Sequence, residues 1–142
     1  MSEKQQFSTF FVDRLYFGIE VEKVQEVLRY QEMTRVPLAP PVVCGLINLR
    51  GQIVTALDLR RRLDLSARTN GDLPMNVVVR TNEGGVSLLV DEIGDVVEVD
   101  EATFERPPDT LNARARELIR GVHKLNDRLM HVLDTDKAIS IE

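Results

Sequence analysis

Tryptophan is absent, cysteine occurs once, at Cys44, and aromatic residues make up only 5% of the chain. Each shortage removes a class of protein. A single thiol cannot build an intrachain disulfide framework, and it fits a reducing cytoplasm. Stacking of nucleic-acid bases needs rings spread over a basic groove, whereas Phe7, Phe10, Phe11 and Phe17 crowd the start and Phe104 stands alone beyond them. Long apolar runs are missing too. The longest uncharged stretch, Val36 to Leu49, holds Pro37, Pro40 and Pro41 and is too short and too broken to cross a bilayer. The opening "MSEKQQFSTF" lacks the apolar segment and cleavage pattern of an export signal. The chain therefore reads as cytoplasmic, with no membrane insertion. Basic residues are outnumbered, 18 Lys and Arg against 23 Asp and Glu, and the net charge of -5 argues against a phosphate-backbone binder. Arg60, Arg61 and Arg62 form the one basic cluster, and Asp91 to Asp109 is acidic apart from Arg106; both read as solvated surface.

What is present is an ordinary globular composition, 142 residues with 43% hydrophobic and 29% charged, enough for one domain or two small lobes around a common core. Short β-like runs separated by turn signals dominate. "FSTFFV" and "LYFGI" flank Asp13-Arg14, "MNVVVRT" and "VSLLV" flank "NEGG", and "LIRGVHKL" and "LMHVLD" flank Asn126-Asp127; each pair predicts a hairpin. "QIVTALDLR" alternates as a strand with one buried face should, and Gly51 before it reads as a turn or bulge. One helix is expected over 19–30, where Val21, Val24 and Leu28 recur at helical spacing and Val27 widens the stripe. Helical turns are expected in "PVVCG", ended by Gly45, and in "ARAREL". The "SARTNGDLP" stretch, 66–74, has linker composition and is a candidate separator of two lobes. Many short strands on short loops point to small barrels or a sandwich.

Catalytic groups are few. His123 and His131 are the only histidines, and a two-residue turn at Asn126-Asp127 sends them to opposite sheet faces, where they cannot share a metal. Both read as solvated or hydrogen-bonded residues. Cys44 sits among aliphatic neighbours and reads as a small buried hydrophobe. Asp58, Asp91, Asp95 and Asp134 stand near strand ends, where turn and cap duties account for carboxylates. No nucleophile-elbow, phosphate-loop, dinucleotide or zinc-protease motif occurs, so neither enzyme nor cofactor is expected.

The segments "LYFGIEVEKVQEVLRYQEMTRVPLAPPVVCGLINLRGQIVTALDLRRRLDL", "VSLLVDEIGDVVEVD" and "GVHKLNDRLMHVLDTDKAI", in this order, resemble the bacterial chemotaxis coupling protein family, CheW. Gly45 to Arg60 is the most specific part, and Thr55 stands where the family commonly has Pro. The resemblance implies an all-β fold of two small SH3-like five-stranded β-barrels sharing a hydrophobic core, here a single domain over 7–139 after a short tail, 1–6. It implies a non-enzymatic adaptor without metal or cofactor. Its partners are the regulatory domain of a chemotaxis histidine kinase and the cytoplasmic tip of a chemoreceptor, with possible self-association in receptor arrays. Arg50 matches the family's groove arginine, and Glu26 and Val27 match the same receptor-facing surface. Gly45 either admits a partner closely or ends a helical turn. A coupler of a non-flagellar chemosensory pathway is the alternative within the fold, and a small β-barrel nucleic-acid binder is the alternative outside it.

Overall fold

The computed structural model describes residues 3–67, 71, 73–82 and 84–140. Strands β1 (Lys4–Val12) and β2 (Leu15–Glu20) lead through a 3₁₀ turn (Val21–Lys23) to β3 (Val24–Leu28), β4 (Val43–Leu49), β5 (Gln52–Asp58) and the short helix α1 (Leu59–Arg62). Then come β6 (Met75–Thr81), β7 (Gly84–Val90), β8 (Glu92–Asp100), a second 3₁₀ turn (Glu101–Thr103), β9 (Phe104–Glu105), α2 (Ala113–Leu118), β10 (Ile119–Lys124), β11 (Leu129–Leu133) and α3 (Thr135–Ile139). Two sheets result, ordered β8-β1-β2-β11-β10-β9 and β3-β6-β7-β5-β4. The protein is mostly β with two SH3-like lobes, as expected, and α2 falls on "ARAREL", capped by the Asn112 side chain.

The chain starts the first lobe, crosses at Val21–Lys23 to build the second, and returns after Asp91. "SARTNGDLP" is therefore not the separator of the lobes; it lies within the second, between α1 and β6, and its residues 68–70 and 72 fall outside the described residues. The segment read as a tail is strand from Lys4 onward, because Lys4 to Phe7 pair with Asp100 to Val97 of β8.

Both lobes close on themselves. In the first, β8 and β9 lie at opposite edges of the ladder yet are joined by the second 3₁₀ turn, so together they act as one bent strand and complete five. In the second, the segment beyond β3 seals the circle: Thr34 N donates to Leu46 O and Leu46 N to Thr34 O, both at 2.8 Å. Gly45 makes room for this. A Cβ there would stand 2.7 Å from the Thr34 carbonyl oxygen and 2.9 Å from Met33 Cβ. Gly45 is thus a buried strand residue, and the helical turn expected to end at it is absent.

Side-chain alternation feeds three cores. Phe10, Phe17 and Ile19 from the first sheet meet Leu57, Val77, Val79 and Leu88 from the second in a shared core. Ile47, Val54, Ala56 and Val78 fill the second lobe, and Phe7, Tyr16, Met130 and Val132 the first. Strand β5 consequently buries residues on both faces, Val54 and Ala56 inward and Leu57 toward the shared core, where its alternation suggested one buried face.

The helix expected over 19–30 is a 3₁₀ turn followed by β3. The cause is a β-bulge: Val24 pairs with Val79, but Glu26 with Val78 and Val27 with Val77, leaving Gln25 extra. An inserted residue turns a period of two into a step of three, so Val24 and Val27 share a face and imitate helical spacing.

Candidate functional site

The β4–β5 hairpin has a two-residue loop, since Leu49 pairs with Gln52. Arg50 and Gly51 both carry positive φ, 51° and 88°, the signature of a type I′ turn. Asn48 Oδ1 accepts from Gly51 N at 3.0 Å and fixes the loop. Gly51 adopts this conformation freely, whereas an arginine there costs about 1–2 kcal/mol.

The turn holds the Arg50 guanidinium against Glu26 on edge strand β3. Arg50 Nη2 donates to Glu26 Oε2, and the arginine side chain is 70% exposed while the glutamate is 20% exposed. Gln25 Nε2 also reaches Glu26 Oε2, at 3.5 Å. Val27 follows Glu26 in sequence but faces the other side of β3, opposite Val77 of the shared core, and is left 41% exposed. Sequence reasoning thus named four residues, of which the fold brings Arg50 and Glu26 into contact, sets Val27 on the neighbouring face, and buries Gly45 beneath Thr34. It passed over Ile53, which shares the face of Leu57 near the hairpin tip and is 63% exposed. Its place three residues beyond Arg50 in an alternating strand was the available signal.

The remaining polar groups serve the scaffold. Arg60 is not solvated surface: its Nε and Nη2 grip the Asp91 carboxylate at 3.1 and 2.7 Å, and its Nη1 donates to Ser66 O at 2.8 Å. The Asp91 bond raises the Arg60 pKa further. Arg62 closes the end of α3, donating to the carbonyls of Ala138 and Lys137 at 2.9 and 2.7 Å, and burial lowers its pKa. Asp58 and Asp134 cap α1 and α3 with their side chains, and Asp91 also accepts from Asp13 N at 2.6 Å.

His123 and His131 occupy opposite faces as expected, with Val122 opposite His131 and His123 opposite Met130. Both are buried rather than solvated. His131 Nδ1 donates to Tyr16 O at 2.8 Å. Burial lowers both imidazole pKa values, partly offset at His131 by that bond and at His123 by the Glu101 charge. Cys44 packs against the second-lobe core. Among the described residues no group of three His, Cys, Asp or Glu is placed to hold a metal, and no helix is long and apolar enough to cross a membrane.

Comparison with known proteins matches this arrangement. The family model for the CheW-like domain covers residues 6–142. The chain is 31% identical over 133 residues to "Chemotaxis protein CheW" of Bacillus subtilis, covering 94% of this chain and 85% of that one. It is 28% identical to the protein of that name from Klebsiella aerogenes, over 97% and 83% of the two chains. It is 27% identical to "Protein FrzA" of Myxococcus xanthus, over 96% and 86%. The crystal structure of scaffolding protein TtCheW from Thermoanaerobacter tengcongensis superposes with a TM-score of 0.81 at 25% identity, over 92% of this chain and 89% of that one. With its two-lobed β fold and the family model spanning nearly its whole length, the chain belongs to the CheW-like domain family.

Proposed function

We propose that this protein is a non-enzymatic adaptor that couples chemoreceptors to a chemotaxis histidine kinase, acting as one two-lobed unit over residues 7–139. The observation that carries the receptor half is the exposed Arg50 guanidinium, held over Glu26 at the tip of a two-residue turn. A planar, permanently charged fork fixed in this way is suited to carboxylates of a receptor's helical tip. Exposed Val27 and Ile53 supply apolar contact for a docking helix, and Gly45 keeps the surface in shape from beneath. The kinase regulatory domain takes another face of the same body, so the protein works at receptor arrays in the cytoplasm, where further copies associate with it.

The test uses Arg50→Asn. Asn-Gly is the preferred type I′ pair, so this variant keeps the turn and removes only the cation. Binding to a soluble receptor-tip fragment should weaken about tenfold or more, with unfolding stability unchanged or slightly raised. Receptor binding equal to wild type, or loss of folding, sinks the assignment. The likeness to FrzA favours a second reading, a coupler serving another chemosensory pathway. Pull-down of tagged protein from the native cytoplasm, with mass spectrometry of the retained receptor and kinase, separates the two.

A further inference from the structure

Residues 36–39 form a turn in which Ala39 N donates to Val36 O at 3.4 Å, with Pro37 at the second position and Leu38, at φ 65°, at the third. That is the pattern of a type II turn, whose third position suits Gly or Asn because a Cβ crowds the backbone at positive φ. Leucine has no local hydrogen bond to offer in return. Nor does packing compensate it, since the residue is fully exposed. The turn is held in place all the same: Pro37, Pro40 and Pro41 restrict the chain, Val43 N donates to Pro40 O at 2.9 Å, and the paired Thr34–Leu46 bonds anchor the segment before it. A large apolar side chain thus stands out into solvent on a strained, preorganised tip.

The surroundings of Leu38 indicate what it meets. It borders a cavity of about 540 Å³ whose lining includes Val36, Pro40, Val43 and Cys44, two arginines, Arg35 and Arg61, and, among the described residues, no carboxylate. Arg35 is exposed and makes no ion pair among the described residues. Arg61 only approaches Asp58, at 3.9 Å, and its side chain is 60% exposed. In a chain of net charge -5, an acid-free hollow with two exposed guanidinium groups beside an exposed leucine favours an anionic partner that carries apolar side chains of its own. We propose that the Leu38 turn and this cavity form a docking surface for a short acidic segment of a partner protein, its apolar side chains packing against Leu38 and into the cavity while its carboxylates pair with Arg35 and Arg61. The surface lies at the start of β4 and Arg50 just beyond its end, roughly 20 Å apart along the strand, so it stands whether or not the receptor reading holds.

The probe is the peptide acetyl-EELLEE-amide, titrated into the full chain while backbone amide signals are followed by NMR. Saturable shifts are expected at Arg35, Leu38 and Cys44 and not at Arg50 or Gly51. Acetyl-QQLLQQ-amide, which lacks the charges, and acetyl-EESSEE-amide, which lacks the apolar side chains, should each bind about fivefold more weakly or worse. Leu38→Asn should weaken binding of the acidic peptide about tenfold, with the urea midpoint equal to wild type or higher, because Asn suits the turn and removes only the apolar tip. Arg35→Gln should weaken it about two- to fivefold and reduce its dependence on salt. Absence of saturable shifts at these amides, equal response to either control peptide, or undiminished binding by Leu38→Asn overturns the proposal. Shifts of the same amides on concentrating the free protein, with no effect of peptide, put a second copy there instead and overturn it too. The peptide comparisons on the wild-type chain need no variant to fold.

Discussion

Replacing Gly45 by alanine tests how the second lobe is closed. The glycine does not carry positive φ, unlike Gly51, Gly71 and Gly84, so alanine meets no backbone penalty there. With space available, Gly→Ala would stabilise by about 0.4–1 kcal/mol through the unfolded chain. The space is not available. The new Cβ would lie 2.7 Å from a backbone carbonyl oxygen, Thr34 O, which cannot swing away as a flexible side chain can. Displacing it costs roughly 1–3 kcal/mol as overpacking. The two Thr34–Leu46 hydrogen bonds lie on the displaced segment and add about 1 kcal/mol each where they are lost. The net expectation is destabilisation by about 1–4 kcal/mol, opposite in sign to the entropic effect. Urea unfolding measures the energy, and amide exchange at Thr34 and Leu46 shows where it is lost. An alanine variant as stable as wild type, with the Thr34 amide equally protected, refutes closure by close approach.

Arg60→Lys should cost about 1–3 kcal/mol in urea unfolding, since an ammonium cannot reproduce the two-pronged grip on Asp91 and leaves that partly buried carboxylate underpaired. Asn76 is fully buried, donates to Arg29 O at 3.0 Å and accepts from Ser87 Oγ at 2.7 Å, so Asn76→Ala should also cost about 1–3 kcal/mol and should slacken the chain just after β3. Stability should decline as pH falls below 6.5: His123 and His131 have pKa values below this unfolded-state value, so the unfolded chain takes up protons first, and their contribution is complete above 6.5 and lost as pH drops through the folded values. His131→Phe, if it folds, should flatten that acid limb in thermal melts; a limb as steep as wild type would assign the effect elsewhere.

The fold was legible where one local rule decided the outcome. The hairpin at Asn126-Asp127 has the expected register, with Leu125 N donating to Arg128 O at 2.8 Å across the two-residue loop. The "NEGG" hairpin forms as well, although Glu83 falls outside the described residues and β7 already begins at Gly84. Legibility failed where two rules predict the same pattern. A bulged strand and an amphipathic helix both place apolar residues three and four apart, and only the pairing of β3 with β6, distant in sequence, selects the strand. Arg60 and Arg62 were misread for a similar reason. Their partners, Asp91 and the carbonyls of α3, lie far along the chain, and nothing in "RRR" itself reports them.

At Arg50 the demands of the turn and the proposed receptor role pull apart. A chain selected only to make this hairpin would carry Asn before Gly51, because Asn tolerates left-handed backbone and Arg does not. The arginine accepts that cost at φ 51° and remains 70% exposed, so packing does not compensate it. Its pairing with Glu26 contributes little net stability at such exposure, since solvent screens the charge and two long side chains must be ordered. Nor is the contact local, for Glu26 lies on β3 and Arg50 in the turn after β4, strands at opposite ends of a ladder that the Thr34–Leu46 bridge joins. A strained backbone that is stabilised by neither core nor ion pair supports the proposal that this surface serves a partner. Arg50→Asn should then be the rare substitution that leaves the fold as stable or more so while weakening receptor association about tenfold or more.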